Sequence, residues 1–253
     1  MFTRAIVREP SKSMIDGLTT AGLGRPDYVK ACKQHSEYVN ALDSCGLDVR
    51  ILEANEEFPD STFIEDVTLL TKNCAIITNP GAPSRKGEIR YMEELLKNYY
   101  SDIYKINDPG TVEAGDIMMV GNHFYIGISA RTNIEGARQI IRLLQDHGMT
   151  ASIVELNEVL HLKTGVSYLE NNKLLACGEF ISKPEFQGFD IIEVDKDEAY
   201  AANCIWVNDT VFVPKYYPKT KKIIEDEGYR VLELDMSEFR KIDGGLSCLS
   251  LRF

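Results

Sequence analysis

Four residues with reactive side chains stand in separate stretches of the chain: Asp66, Glu113, His161 and Cys248. A cysteine thiolate is a nucleophile, an imidazole moves protons near neutral pH, and a carboxylate can hold that imidazole in the required tautomer. Asp66, with Glu65 beside it, offers negative charge to a cation. A cation bound beside Cys248 would itself lower the pKa of the thiol, so the nucleophile need not be ionised beforehand. These residue types predict nucleophilic chemistry on a cationic substrate, provided that the fold brings them together.

The stretches that must position these residues repeat one figure, two β-rich runs joined by a tight polar turn. Four hairpins of this kind are predicted, at 62–70 with 74–78, 116–120 with 123–129, 162–169 with 173–177, and 202–207 with 210–214. Asn and Gly occupy the turns, and both tolerate the positive φ that a hairpin requires. At least three of the hairpins are followed by a helix and a short strand, which makes each repeat one supersecondary unit.

The predicted helices of these units differ in how clearly they begin and end. One starts at a capping box formed by Thr132 and Glu135 and stops at Gly148. Two others are predicted at 87–100 and 219–227, and the strands that follow the three helices at 102–106, 152–156 and 230–234. The remaining unit is irregular, because Lys183 and Pro184 stand where its helix is expected.

The two chain ends supply a fifth unit. A strand at 3–8, a helix at 28–45 and a strand at 48–52 lack only a hairpin partner, which the C-terminal run 246–253 can provide. Pairing of the two ends closes a ring, and closure removes exposed strand edges. An open α/β sheet is the alternative, but a doubly wound sheet alternates single strands with helices. The sequence therefore favours an α/β ring of five units in one domain, 1–253.

Equivalent positions in such a ring meet near its axis. Asp66, Glu113 and His161 lie seven, nine and eleven residues before the turns of their own hairpins. Side chains alternate along a strand with period two, so these offsets predict that the three residues share one face. Each alone has an ordinary structural explanation, and the same holds for Cys248. Their expected convergence is what indicates a site.

The composition narrows the partners and the compartment. The chain has 28 basic and 39 acidic residues, a net charge of −11, which disfavours nucleic acid and anionic membranes and suits a cationic substrate. We expect no signal peptide, because Arg8 and Glu9 interrupt the apolar start, and no membrane span. The six cysteines include no C-x-x-C pair and no spacing typical of a metal site. A reducing cytoplasm is the expected location.

Several motifs resemble one family across essentially the whole chain. They are Phe63-Ile64-Glu65-Asp66, Thr111-Val112-Glu113-Ala114-Gly115-Asp116, Ala130-Arg131-Thr132-Asn133, His161-Leu162-Lys163-Thr164-Gly165 and Asp243-Gly244-Gly245-Leu246-Ser247-Cys248. They are similar to the bacterial dimethylarginine dimethylaminohydrolases, which belong to the guanidine-modifying superfamily with arginine deiminases and amidinotransferases. The resemblance implies a five-bladed α/β propeller of ββαβ units, no metal or organic cofactor, and a possible homodimer.

The resemblance also implies roles for individual residues. Cys248 would be the nucleophile, His161 the general acid and base, and Glu113 the carboxylate that orients His161. The implied substrate contacts are Leu18, Asp60, Phe63, Glu65, Asp66, Arg85, Arg131, Ile242 and Asp243. Among these, Asp66 would grip the guanidinium, and Arg85 and Arg131 would hold the α-carboxylate of an amino acid. The glycine-rich stretch 16–26 would be a mobile lid.

The substrate is the open question within that superfamily. Arginine deiminases generally carry Asp two residues after the catalytic His, where this chain has Lys163. Fewer carboxylates for the guanidinium N–H groups favour a methylated substrate, so the expected reaction is hydrolysis of Nω-methylated arginine, through a covalent thiouronium, to citrulline and methylamine or dimethylamine. An arginine deiminase, an amidinotransferase and a non-catalytic methylarginine-binding protein remain the alternatives.

Overall fold

The structure is a computed structural model that describes residues 1–157 and 159–253, and within these residues the strands form five sheets of three strands each. The strands are β1 (Arg4–Arg8), β2 (Asp48–Leu52), β3 (Thr68–Leu70), β4 (Ala75–Ile77), β5 (Ile103–Lys105), β6 (Ile117–Val120), β7 (His123–Ile128), β8 (Thr150–Glu155), β9 (Val166–Tyr168), β10 (Lys173–Ala176), β11 (Asp190–Glu193), β12 (Ile205–Val207), β13 (Thr210–Pro214), β14 (Arg230–Leu234) and β15 (Leu251–Arg252). The α-helices are α1 (Tyr28–Ser44), α2 (Met92–Leu96), α3 (Ile134–Asp146), α4 (Leu162–Gly165), α5 (Pro218–Asp226) and α6 (Ser237–Arg240). Short 3-10 helices span Lys12–Asp16, Ile64–Val67, Pro83–Ile89, Ala114–Asp116, Gly178–Ser182, Pro184–Phe186, Lys196–Ala202 and Ser247–Leu249.

All five sheets have the same construction. The middle strand pairs antiparallel with the first strand and parallel with the third, as β7 does with β6 and β8. First strands of neighbouring sheets contact one another, β15 with β3 and β9 with both β6 and β12, which places them around the centre. The fold is the predicted five-bladed α/β propeller.

The chain ends close the ring within one sheet. β1 lies between β15 and β2, with Ala5 opposite Arg252 and Ile6 opposite Leu251. The predicted pairing of the C-terminal run with the N-terminal strand is therefore confirmed. Three of the four predicted hairpin turns have the expected backbone, since Gly121, Asn172 and Asn208 adopt positive φ, whereas no residue of the turn 71–73 does.

The first strand of each hairpin is shorter than the sequence predicts, because helical turns replace its beginning. Three of these turns are Ile64–Val67, Ala114–Asp116 and α4, and a comparable turn, Ser247–Leu249, precedes β15. The turns are held by N–H groups that bond to the carbonyl three residues earlier: Asp66 to Phe63, Asp116 to Glu113, Thr164 to His161 and Cys248 to Gly245, at 3.0 to 3.3 Å. Backbone groups need partners, and a local turn supplies them where the chain leaves the sheet.

Two helix predictions need correction. The cap of α3 is Asn133, whose side chain accepts from the N–H of Gly136, while the hydroxyl of Thr132 accepts from the N–H of Glu113 instead. The predicted helix at 87–100 is broken, since a 3-10 helix ends at Ile89 and Tyr91 has a φ of 95° just before α2. The eclipsed i, i+3 positions of that 3-10 helix bring two buried charged residues, described below, side by side.

The core lies between each sheet and the helix that covers it. In the blade formed by β6, β7 and β8, Phe124 and Ile126 of β7 pack with Ala137, Ile140 and Leu144 of α3, and all five are fully buried. Each large apolar side chain buried in this way contributes roughly 1.5 to 3 kcal/mol. The blades therefore form a firm frame for the turns at the centre. No α-helix in the described residues has the length and apolar character needed to cross a bilayer.

Candidate active site

The central turns bring the four reactive residues to one cavity. Asp66 and Cys248 lie within 3-10 turns, and Glu113 and His161 each directly precede a helical turn. The cavity measures about 380 Å³, including the part that is open to solvent. Its lining contains all but one of the residues proposed from the sequence: Leu18, Asp60, Phe63, Asp66, Arg85, Glu113, Arg131, His161, Ile242, Asp243 and Cys248. Glu65 is not among them.

His161 is bound to Glu113 and carries a proton at neutral pH. Its Nε2 lies 2.9 Å from Oε2 of Glu113, whose other oxygen accepts from the backbone of Ala82 at 3.0 Å and from Arg131 at 3.3 Å. Burial on its own lowers the pKa of His161, but the charge of Asp66 and the bond to Glu113 outweigh it and raise the pKa to about 9. The site thus holds an imidazolium, which is ready to donate a proton.

Cys248 is a neutral thiol at neutral pH when no cation lies beside it. Burial raises the pKa of its thiol to about 12, and the negative charges of Asp66 and Glu65 act in the same direction. The N–H of Gly245, 3.4 Å from Sγ, opposes the rise. A cation brought against the sulfur would offset the carboxylate charges, so the site is arranged to ionise the thiol when a positively charged molecule enters.

Asp66 faces the cavity but is already anchored on both oxygens. Oδ1 accepts from the N–H of Gly115 at 2.9 Å, and Oδ2 accepts from Nη1 of Arg85. Burial alone would raise the pKa of Asp66, yet the charges of Arg85 and His161 bring it below its usual value. Only glycine fits at 115, because a Cβ there would lie 2.7 Å from Oδ1 of Asp66 and 3.1 Å from Nδ1 of His161.

Most N–H groups of Arg85 bond to other residues of the protein, which leaves fewer for a substrate than the sequence suggests. It is buried, and its Nε and Nη2 bond to the two carboxylate oxygens of Glu88 at 2.9 and 2.8 Å. Nη2 also bonds to the carbonyls of Asp60 and Phe63, and Nη1 to Asp66. These bonds occupy four of the five N–H groups of an arginine. Of the two arginines proposed to hold an α-carboxylate, the more exposed one is Arg131.

Glu65 lies outside the cavity lining and is paired with Lys163. Lys163 Nζ is 2.6 Å from Oε1 of Glu65, with both side chains largely buried. Burial raises the pKa of Glu65, while Lys163 acts to lower it. In the sequence analysis Lys163 mattered only because it stands where arginine deiminases generally carry Asp. In the structure it also neutralises a second carboxylate, and the contact joins residues 98 positions apart.

The stretch 16–26 is held against the mouth of the cavity by hydrogen bonds from Leu18, Thr19 and Thr20. Leu18 N–H donates to Oδ1 of Asp60 at 3.0 Å, and Thr20 N–H donates to Oδ2 of Asp243 at 2.6 Å. The hydroxyl of Thr19 donates to the carbonyl of residue 241 at 2.7 Å. Asp60 and Asp243, both proposed as substrate contacts, therefore also hold this stretch in place.

Asp116 supports the segment of His161, a place that the sequence analysis did not predict for it. It is fully buried, and its Oδ1 accepts from the N–H of Leu162 at 3.0 Å while Oδ2 accepts from the hydroxyl of Ser129 at 2.6 Å. Through Leu162 it fixes the backbone next to His161. Its place in the same Glu-Ala-Gly-Asp run as Glu113 was the available signal.

Asp66, Glu113 and His161 also form the one acidic and imidazole cluster of the described residues whose ligand atoms lie within 4.8 Å of one another. A metal there would have to displace the proton of His161, whose pKa is about 9, and compete with Arg85 for Asp66. These neighbours favour an imidazolium over a metal-bound imidazole.

Asp66→Asn is expected to make Cys248 more reactive towards iodoacetamide while it removes turnover. The substitution deletes the largest negative charge acting on the thiol, so the pKa of Cys248 falls and alkylation at pH 8 speeds up, about tenfold for each pKa unit. Peptide mass mapping separates Cys248 from the other free cysteines.

The matched control for that variant is Glu88→Gln, which alters the other carboxylate on Arg85. Glu88 does not line the cavity that holds Cys248, so a smaller change in alkylation rate is expected. An Asp66→Asn protein alkylated no faster than wild type would contradict the electrostatic description of the site.

Comparisons with known proteins agree with this geometry. The family model described as N,N dimethylarginine dimethylhydrolase, eukaryotic, matches residues 27–249. The chain is 59% identical over 254 aligned positions, covering 100% of both proteins, to N(G),N(G)-dimethylarginine dimethylaminohydrolase of Pseudomonas aeruginosa. A crystal structure of the P. aeruginosa protein, a cysteine-to-serine mutant complexed with citrulline, matches with a TM-score of 0.99 and 58% identity over 100% of both chains. So does a histidine-to-glycine dimethylarginine dimethylaminohydrolase in an adduct with S-methyl-L-thiocitrulline, with the same TM-score of 0.99, identity of 58% and coverage of 100% of both chains.

The five-bladed α/β propeller, with a cysteine, a histidine and carboxylates around one central cavity, agrees with the guanidine-modifying enzymes that the sequence motifs resemble. The chain belongs to the dimethylarginine dimethylaminohydrolase family, whose members are hydrolases that act on carbon–nitrogen bonds.

Proposed function

We propose that this protein hydrolyses Nω-methylated arginine, asymmetric dimethylarginine or monomethylarginine, to citrulline and dimethylamine or methylamine. The observation that carries the proposal is the single cavity lined by Cys248, by Asp66 and by the bonded pair His161 and Glu113. In this proposal residues 1–253 act as one catalytic domain, and the reaction needs no cofactor.

The first half of the reaction uses the resting charges of the site. The guanidinium binds with Asp66 as its acceptor, and its positive charge lowers the pKa of Cys248, whose proton leaves to solvent. The thiolate sulfur attacks the guanidinium carbon. The imidazolium of His161 gives its proton to the departing amine, and the C–N bond breaks to leave a thiouronium on Cys248.

The second half returns the site to its starting state. Neutral His161 now takes a proton from water, while Glu113 holds the ring and stabilises the imidazolium that re-forms. Hydroxide adds to the thiouronium carbon, the C–S bond breaks, and citrulline departs. The cysteine sulfur is the leaving group in this step, so the thiol is regenerated without any external reagent.

The remaining contacts follow from the cavity lining. We propose that Arg131, with Arg85 behind it, meets the α-carboxylate, and that Leu18 and Asp60 meet the α-amino group. Phe63, Ile242 and Asp243 complete the cavity wall near the reacting carbon. Glu65 lies outside the lining and is paired with Lys163, so we propose that it acts only through the effect of its charge on the pKa of Cys248.

The structure supports a methylated substrate over free arginine. Two methyl groups on one nitrogen remove two of the five N–H donors of a guanidinium. Glu65 is paired with Lys163, Glu113 with His161 and Arg131, and each oxygen of Asp66 already accepts one hydrogen bond, so these carboxylates have only part of their acceptor capacity left for a guanidinium. A cavity with few acceptors suits a cation with few donors, because unpaired polar groups are costly to bury.

The test is a comparison of initial rates of citrulline formation from asymmetric dimethylarginine and from arginine, with the released amine measured in parallel. The expected result is faster turnover of the methylated substrate with one dimethylamine per citrulline, and none with Cys248→Ser. Faster turnover of arginine would make the protein a deiminase. Transfer of the amidino group to an added amine would make it an amidinotransferase, and tight binding without product would make it a binding protein.

We further infer a cytoplasmic homodimer that does not associate with nucleic acid or membranes. The net charge of −11 repels phosphate-rich partners, and all six cysteines are free thiols in the structure. Light scattering after gel filtration measures the assembly, and a mass of 28.5 kDa, that of one chain, would contradict the dimer.

A further inference from the structure

A buried amide links the two segments that carry the thiol and the imidazole. Asn203 directly follows the 3-10 helix Lys196–Ala202 and is 7% exposed. Its Nδ2 donates to the carbonyl of Lys163 at 2.9 Å and to the hydroxyl of Ser247 at 3.0 Å, and its Oδ1 accepts from the N–H of Ser247 at 3.0 Å. Lys163 stands two residues after His161, and Ser247 directly precedes Cys248.

The segment that contains Asn203 also bonds at a second point to residues 244–248, called here the nucleophile turn because they end at Cys248. The hydroxyl of Tyr200 donates to the carbonyl of Gly244 at 2.8 Å. A Cβ at Gly245 would lie 2.5 Å from both Cγ and Oδ1 of Asn203, so the amide packs directly against the turn. The N–H of Gly245 is in turn the group that donates to Sγ of Cys248.

The thiol and the imidazole have no direct bond that could set their relative position. In the described part of the chain the hydrogen bonds of Cys248 Sγ go to the N–H of Gly245 and the hydroxyl of Ser247. The geometry between sulfur and imidazole is therefore set by the backbone segments that carry them. Asn203 is not in the cavity lining, yet it bonds to both of those segments.

We propose that Asn203 is a positioning residue for the reaction, which holds the nucleophile turn in register with the segment of His161. It acts through Ser247 and the Lys163 carbonyl and touches neither substrate nor reacting atoms. Displacements of about 1 Å between reacting groups cost on the order of 100-fold in rate, so loss of this link should lower kcat. Substrate contacts lie elsewhere in the cavity, so KM should change little.

The test compares Asn203→Asp with Asn208→Asp. The carboxylate introduced by Asn203→Asp would keep an acceptor for the N–H of Ser247 but would place an oxygen against the Lys163 carbonyl, where the amide donated. Asn208 is a matched control because its amide also makes three hydrogen bonds to two other segments, with Phe2 and Cys45, and its turn lies outside the cavity lining. Asp also tolerates its positive φ.

The expected result with asymmetric dimethylarginine is a fall in kcat of about 100-fold for Asn203→Asp, with KM within about threefold of wild type. Asn208→Asp should lower the melting temperature while kcat stays unchanged. Lower pH should bring the kcat of Asn203→Asp closer to that of wild type, because a protonated carboxyl regains a donor.

Two outcomes overturn the proposal: kcat of Asn203→Asp within about threefold of wild type, or equal losses of kcat in both variants. If Asn203→Asp does not fold, Tyr200→Phe is measured instead, because it removes the hydroxyl that bonds to the Gly244 carbonyl. A kcat lowered about tenfold with unchanged KM supports the positioning role, and an unchanged kcat contradicts it. The inference rests on the proposed function, and wild-type turnover of asymmetric dimethylarginine tests that function separately.

Discussion

Cys248→Ser is expected to reduce citrulline formation from asymmetric dimethylarginine by on the order of 10⁴ to 10⁶-fold. A serine hydroxyl is far harder to ionise than a thiol. The neighbouring His161 cannot serve as its base, because the raised pKa of about 9 keeps the imidazole protonated. Coupled detection of citrulline and dimethylamine measures the loss.

Binding of citrulline by calorimetry and the melting temperature show that the loss is chemical. Serine replaces sulfur with oxygen and leaves the cavity wall in place, so both should stay near wild type. Cys45→Ser is the matched control, since Cys45 is also a partly buried free thiol but lies outside the cavity lining, and it should retain full activity. Turnover by Cys248→Ser within tenfold of wild type would remove the residue from the mechanism.

His161→Gly is expected to lower kcat about 10²- to 10⁴-fold, because both proton transfers pass through this imidazole. The fall should be larger for dimethylarginine than for S-methyl-L-thiocitrulline, since a departing thiol needs less protonation than a departing amine. Added imidazole should restore part of the rate by occupying the space beside Glu113.

The pH dependence of kcat/KM tests whether His161 supplies this proton. His161 must be protonated in the first half, so kcat/KM of the wild type should fall as pH rises through about 9. In His161→Gly the rate that remains without added imidazole should show no fall near pH 9, because the group that titrates there has been removed. His123→Gln, a partly exposed imidazole bonded to Thr150 and Ser152, is the control and should keep the wild-type profile. A fall near pH 9 that persists in His161→Gly without added imidazole would show that another group supplies the proton.

The propeller was predictable because each repeat has a local signal. Turn residues such as Asn172 and Asn208 mark the hairpins, and the apolar positions of α3 mark the helix that covers one of them. The ring closure followed from counting units, since four repeats left two ends that fit one another. These features depend on short-range chemistry that a single sequence carries.

The reactive residues converge as predicted, but the physical reason given for their convergence was wrong. Period-two alternation along strands does not apply, because Asp66 and Cys248 lie within helical turns and Glu113 and His161 directly before them. Equivalent places in the repeat still meet at the centre. The bending of the chain into turns comes from backbone groups that need partners beyond the sheets, which hydrophobic pattern alone does not reveal.

Contacts between unrelated positions of the repeat could not be predicted. Lys163 with Glu65 and Asn203 with Ser247 join residues 98 and 44 positions apart. Arg85 was predicted as a substrate contact, but its bonds to Glu88 accompany a 3-10 helix, Pro83–Ile89, of which the helix predicted at 87–100 covered only the last residues. Such long-range pairs are set by how the blades assemble.

The covalent step is tested most directly by mapping where the substrate carbon becomes attached. S-methyl-L-thiocitrulline and dimethylarginine lose different groups but give the same thiouronium, and His161→Gly cannot activate the water that would release it. Incubation of that variant with S-methyl-L-thiocitrulline, followed by proteolysis and mass spectrometry, should place the adduct on the peptide that contains Cys248, with one methanethiol released per chain. Methanethiol release without modification of Cys248, or an adduct on a different residue, would contradict the account.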